Sequence, residues 1–201
     1  MPRSVGARDK IERAALSLFA ASGVAGVSIA EIAGAAGVSQ GALYRHHPSK
    51  EALAASLFET AYRRTTAGLA ALRAGRTGFA ARIEAMVAHF CALYDRDPAL
   101  FRFMLMAQHD ILPGIADGHP TPAWVVEATI ADAVAAGELS GVEVPAAAAV
   151  VMGAVLQTAT FHLYGRLAGP LLPRAPALAA AAIAGVRALA EALPQSGNGS
   201  Q

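Results

Sequence analysis

The sequence holds a single cysteine, Cys91. One thiol excludes an intrachain disulfide and any cysteine-rich metal site. Cys91 falls within an apolar helical pattern, so a buried thiol is expected. Aromatic residues make up only 6% of the chain, and strand-like alternation is missing. Both weigh against a sheet. Charge is scarce as well, with 16 Lys and Arg against 15 Asp and Glu in 201 residues, a net of +1. That total points to no particular partner.

Long apolar runs are also missing. The longest, near 144–156 and 175–186, are interrupted by Gln157 and Arg187. Both fall short of the roughly 20 residues that a spanning helix needs, so no membrane span is expected. The segment MPRSVGARDK is polar and has no apolar h-region, so no signal peptide is expected. No Ser-His-Asp order with an elbow, no H-E-x-x-H and no phosphate loop occurs. His89, His109, His119 and His162 lack ligand spacing with carboxylates. The expectation is a cytoplasmic protein that is not an enzyme and carries no metal and no cofactor.

What the sequence does have is helical periodicity. Apolar residues make up 55% of it, enough to bury a sizeable core, and alanine is abundant. Ile11, Ala14, Ala15, Leu18 and Phe19 recur at helical spacing, and Gly23 stops that helix. Ser28 with Glu31 reads as a capping box opening a second helix that Gly37 closes. Ser39 caps a third helix that ends before Pro48, and Ser49 caps a long fourth one reaching about Arg73. A fifth spans about 78–94. Asp97-Pro98 and Thr121-Pro122 each place a cap before a helix-starting proline and open the sixth and seventh. Pro113-Gly114 ends the sixth, and a polar loop follows to about His119. The eighth runs from near Pro145 to about Leu167, and Pro176 opens the ninth. The fold class expected is all-α with nine helices. Three short helices, then a long connector helix and five more, divide into a head at 1–53, a helical body at 54–193 and a disordered tail at 194–201.

The scarce charge is unevenly spread. Residues 1–50 carry six basic side chains against three acidic ones, a net of +3; the remainder carries ten against twelve, a net of −2. A basic head hints at a polyanion. Two short helices joined at Gly37-Val38 form a helix-turn-helix pattern, whose second helix enters the DNA major groove by its leading residues. Those residues are Ser39, Gln40, Gly41 and Ala42. Gln40 suits an adenine edge and Ala42 a thymine methyl, while Gly41 lets the backbone come close. Leu43 points inward. Tyr44, Arg45 and His46 follow with groups that hold phosphate oxygens. Lys50 sits in the first turn of a helix, the wrong end for a cation. With the first N–H groups of that helix it makes an anion site, and a phosphate offsets the conflict.

The pattern Ala15, Leu18, Phe19, Gly23, Ser28, Ile29, Ile32, Ala33, Ala36, Gly37, Val38, Ser39, Gly41, Leu43, Tyr44, His46, Ser49, Lys50, Glu51 and Leu53 resembles the tetracycline-repressor (TetR/AcrR-like) family of regulators. The resemblance covers about residues 8–55. It implies phosphate contacts from Ser28, Ser39, Tyr44, His46 and Lys50, with Gln40, Gly41, Ala42 and Arg45 near base edges. Two positions depart from the family pattern. Val24 stands where an aromatic is usual, and His47 stands where Phe is usual. His47 must hydrogen-bond, reach the surface or weaken the packing; it is either a tolerated edge residue or a source of pH sensitivity.

The resemblance further implies a body that binds a small-molecule inducer, apolar or aromatic. It also implies a homodimer through helices at about 145–167 and 176–193, acting on double-stranded operator DNA. Those two helices are apolar over a wide arc and rich in small residues, which suits close approach of a second copy. Met86, Phe90, Phe101, Met104, Met106, Trp124 and Phe161 suit an adaptable apolar pocket, and His89, Gln108, His109 and His162 could orient a polar group in it. The function expected is a dimeric, ligand-responsive transcriptional regulator, most simply a repressor. The competing reading is a helical small-molecule binding protein with a degenerate head.

Overall fold

The computed structural model describes residues 6–112 and 120–192. Among these residues it contains nine α-helices and no strand: α1 Ala7–Ser22, α2 Ile29–Ala36, α3 Gln40–His46, α4 Lys50–Ala74, α5 Phe79–Arg96, α6 Pro98–Ile111, α7 Pro122–Ala135, α8 Val144–Leu163 and α9 Ala175–Ala192. The all-α, nine-helix expectation holds.

Helix starts follow the predicted caps. Ser28 and Glu31 form the reciprocal capping box, with the Ser28 N–H donating to Glu31 Oε2 at 2.7 Å and the Glu31 N–H donating to Ser28 Oγ at 3.2 Å. Ser39, Ser49, Asp97 and Thr121 each accept an N–H from three residues ahead, at 2.9–3.1 Å. Each such cap contributes about 1 kcal/mol. Gly37 adopts φ +66, and the Val38 N–H reaches back to the Ala33 carbonyl at 3.0 Å, which makes the sharp turn into α3.

Two expectations at the C-terminal helices are corrected. α8 was expected to reach about Leu167 but stops at Leu163, because Gly165 takes φ +69 and Arg166 donates to the Phe161 carbonyl at 2.9 Å. A left-handed glycine ends a helix whatever the apolar run beyond it. The apolar runs were also expected to be too short to span a membrane. Val144–Leu163 and Leu172–Glu191 are each 20 residues of helix, long and apolar enough by length and composition to cross one. Gln157 and Arg187 interrupt the sequence but not the helix. α9 starts at Ala175, after a 3-10 turn at Leu172–Arg174 whose entry is fixed by the Asp95 carboxylate, which accepts the N–H groups of Leu171 and Leu172 at 2.8 Å each. The loop expected at 113–119 and the tail expected at 194–201 lie outside the described residues.

The chain divides into two compact units. The first, here the head, holds α1–α3, α4 through Arg64, and α6. The second, the body, holds the rest of α4 with α5 and α7–α9. The sequence reading drew the boundary at 53 and gave the sixth helix to the body; the structure puts α6 in the head. The reason is aromatic. Phe103 stacks on Phe19 with ring centres 5.8 Å apart and meets Phe58 edge-on at 6.4 Å. Ile11, Ile32, Leu43 and Leu53 complete that core, with Leu100, Met104 and Ile111 of α6 against it.

The body core is built from Phe79, Ile83, Val87, Val125, Ile130, Val151 and Ile183. α9 packs on α5 and α8, and α7 packs on α8. Gly185 of α9 approaches α8 so closely that an added Cβ would lie 2.8 Å from Val150. Arg73 forms a bidentate pair with Asp132 at 2.9 Å, and Arg82 adds a bond of 3.0 Å to the same carboxylate.

Candidate nucleic-acid interface

α3 presents one face to its own core and the other outward. Leu43 is fully buried, while Gln40, Gly41, Tyr44, Arg45 and His46 are exposed and Ala42 is half-buried. Tyr44 is 51% exposed, which excludes a core role. Its ring and hydroxyl are therefore available to a partner. No atom lies within 4 Å of a Cβ added at Gly41. Nothing in the chain demands glycine there, so the open space suits close approach by a partner.

Beside this face lies a cleft of about 310 Å³ lined by Val27, Ser28, Ile29, Tyr44, Pro48, Ser49, Lys50 and Glu51. It gathers Ser28, Tyr44 and Lys50, three of the residues expected at phosphates, from the starts of α2 and α4 and the end of α3. Two helix N-termini thus border it, each with N–H groups and the positive end of a dipole. Lys50 Nζ lies 3.4 Å from the Ala25 carbonyl and 3.9 Å from Glu51 Oε1. The ammonium thus lies at the cleft between a neutral carbonyl and a longer contact with one carboxylate.

Two serines differ in readiness. Ser39 Oγ accepts from Ala42 N–H and keeps its own proton to donate. Ser28 spends both its N–H and its O–H on Glu31 Oε2, each at 2.7 Å. Those bonds hold the Glu31 carboxyl below its usual range, with a smaller contribution from Lys50. For Ser28 to contact a phosphate, its hydroxyl must leave Glu31.

The surroundings of His47 are not visible in the sequence. The residue is 4% exposed, so it is not an edge residue. Nε2 has no hydrogen-bond partner and lies 3.8 Å from Glu12 Oε1, which Arg8 Nε holds at 2.7 Å. The i, i+4 spacing of Arg8 and Glu12 was legible as a helical ion pair; its proximity to residue 47 was not. Val24, the other departure, packs half-buried against the head core.

The candidate pocket residues are divided between the two units. Phe101, Met104 and His109 belong to the head, with His109 exposed. Met86, Phe90, Trp124, Phe161 and His162 belong to the body. There Met86 is buried and Phe90 half-buried, while Trp124 and Phe161 are 49% and 50% exposed. The Arg73 guanidinium sits over the Trp124 ring at 6.0 Å. His162 Nδ1 is 2.7 Å from the buried Tyr94 hydroxyl, a pairing that periodicity alone did not suggest. His89 lies against α4, where a Cβ on Gly68 would fall 2.5 Å from its Nε2. Burial, then Arg96, lowers its affinity for a proton. Burial, with help from Asp95, pushes the Cys91 thiol up to about 11, so it stays protonated and inert. No group of three metal-ligating side chains occurs among the described residues.

Residues 11–57 match the model of the bacterial regulatory proteins, tetR family. That stretch, from within α1 to the first turns of α4, carries the tetR-family pattern. The fold of the whole chain agrees with that assignment. A tetR-family regulatory protein from Rhodococcus RHA1 superposes with a TM-score of 0.79 at 21% identity, covering 91% of this chain and 98% of its own. The transcriptional regulator FadR from Bacillus subtilis, solved with stearoyl-CoA, gives 0.72 at 17% identity, covering 88% and 98%. A protein described in terms of the control of antibiotic production by bacterial hormones gives 0.65 at 28% identity, covering 92% and 100%. No curated protein matches the sequence. The chain therefore has the fold of tetR-family transcriptional regulators, with a helix-turn-helix head and a helical body.

Proposed function

We propose that the protein is a cytoplasmic, dimeric, ligand-responsive transcriptional regulator that represses from operator DNA and is released by a small apolar or aromatic inducer. The observation that carries the DNA-binding reading is the cleft uniting Ser28, Tyr44 and Lys50 beside the outward face of α3. In this reading α3 lies in the major groove. Gln40 and Arg45 meet base edges, Gly41 and Ala42 allow close approach, and Ser28, Ser39, Tyr44, His46 and Lys50 hold phosphates.

The dimer reading is supported by the surfaces of α8 and α9. Ala149, Gly153, Gln157 and Phe161 form an exposed ridge on α8 at i, i+4 spacing, and Ala177, Ala181, Ala184 and Ala188 are exposed on α9. A second copy packed there would set two heads on half-sites about 34 Å apart. α4 belongs to both units, so a change at its body end travels along one hydrogen-bonded helix to Lys50 and Ser49. An inducer acts only through different affinities for the two head arrangements. Because the FadR neighbour is solved with stearoyl-CoA, long-chain acyl thioesters join simple aromatics as the first probes.

The test is fluorescence anisotropy with DNA from the protein's own upstream region at two salt concentrations. Salt-sensitive binding that is lost in a Tyr44→Ala, Lys50→Ala double variant is expected. Failure to select any sequence from a random DNA pool would instead favour a small-molecule binding protein with a degenerate head.

A further inference from the structure

His47 is the C-cap of α3 and leads into α4. Its backbone N–H closes α3 by donating to the Leu43 carbonyl at 2.9 Å. Its side chain is 94% shielded and turned toward α1. The imidazole therefore sits where three helices of the head meet, and its Nε2 has no partner. A polar nitrogen left bare in a core is costly while neutral, and costlier once it carries a charge.

Among the charges that act on it, only Glu12 favours the cation. From α1, Glu12 is close enough to attract it at 3.8 Å, but Arg8 already occupies the same carboxylate oxygen at 2.7 Å. Arg8 also repels a cation directly, as does neighbouring His46 on α3. At the start of α4, Lys50 is itself a cation and lies 3.9 Å from Glu51, the acid beside it, so it offers the imidazolium no counter-charge. An imidazolium at this corner has only a shared carboxylate to face and must otherwise regain water.

We propose that His47 is an acid-sensitive latch in the head: protonation of its buried imidazole loosens α1 from the corner between α3 and α4. The direction of titration agrees with the geometry. Burial holds His47 below its ordinary value of 6.5; Glu12 pulls the other way, less strongly than burial, and Arg8 and then His46 add smaller downward pushes. A histidine that holds its proton less tightly when folded contributes stability fully above pH 6.5, and that stability is lost as pH falls toward the folded value. The latch is a property of the head's packing and is measurable without DNA. If the head binds DNA as proposed above, acid would also release it.

The test uses the full chain with His47→Phe, His47→Gln and Glu12→Gln variants. Histidine-selective NMR follows the imidazole, and thermal unfolding is recorded from about pH 8 to about pH 5.5, the range in which histidine charge changes. The His47 resonance, identified by its absence in His47→Phe, is expected to titrate below 6.5. Glu12→Gln should move it lower still. The unfolding constant of the parent chain should rise with acid more steeply than that of either His47 variant, by up to about tenfold per pH unit. His47→Gln guards the comparison against a packing gain from Phe. Titration at or above the ordinary value would mean that Glu12 captures the imidazolium, and would overturn the proposal. Parallel unfolding profiles in the parent and both His47 variants would overturn it equally.

Discussion

In the body, Tyr94 is buried with its hydroxyl 2.7 Å from His162, and the fully buried Thr129 donates to the Val125 carbonyl at 2.8 Å. In the head, His47 is buried just as deeply and its Nε2 meets no partner. The cores differ as well. The head relies on three aromatic rings, Phe19, Phe58 and Phe103, brought from three helices. The body is knit by alanine, valine and isoleucine at close helix approach and is tied at one end by Asp132 with two arginines. One unit is thus satisfied in its polar bookkeeping and fine-grained in its packing. The other rests on a few large contacts and one open polar site, so single changes should act on it more sharply.

Phe103→Ala is the strongest way to break this contrast. Removing a ring that meets two others should cost about 3–5 kcal/mol and lower the head's melting transition, read by differential scanning calorimetry. If the loss appears in the body instead, the division into units is wrong. Tyr94→Phe comes next. It leaves the His162 Nδ1 without the phenol and should cost about 1–3 kcal/mol, seen as faster amide exchange in α5 and α8 with α1–α3 unchanged. Ser39→Ala removes the cap of α3 and should cost about 1 kcal/mol while also weakening DNA binding, which urea melts and anisotropy together would show.

The smallest effect belongs to Asp132→Asn. The Asp132 side chain is 38% exposed, so its ion pairs should contribute less than about 1 kcal/mol and fade with salt. The Arg73 hydrogen bond, opposed by burial and helped by the charges of Arg73 and Arg82, holds its carboxyl below the ordinary 3.8. Stability from this group is therefore present above pH 3.8 and disappears as pH falls through the depressed folded value. Melts of both forms at neutral and strongly acid pH should differ only at the former.

Much of the fold was legible because helix starts are local. Ser28 with Glu31, Ser39, Asp97 with Pro98 and Thr121 with Pro122 each announce themselves within four residues. The end of α8 was less legible, since apolar residues continue past Gly165 and only the backbone reveals the stop. The home of α6 was not legible at all. Its stripe of Leu100, Phe103, Met104 and Ala107 says that one face is buried, not against which helix. The same limit applies to the candidate pocket residues: Met104 and Trp124 share a chemistry, and their spacing does not say which unit holds each. In the head, Ser28, Tyr44 and Lys50, singled out by motif spacing, line one cleft. The contact of Lys50 with Ala25, 25 residues away, required coordinates, as did the placing of His47 against Glu12.

The lodging of Phe103 among Phe19 and Phe58 has a consequence for shuffling and engineering. A recognition module is usually exchanged by cutting the chain once, after its last helix. Here such a graft, joined anywhere within α4, would arrive with a hole the size of a benzyl group and would accept whatever ring the host's own sixth helix offered. Specificity could be transplanted intact only by carrying residues 98–111 along as a second, separate segment, so the head is inherited as two pieces or not at all.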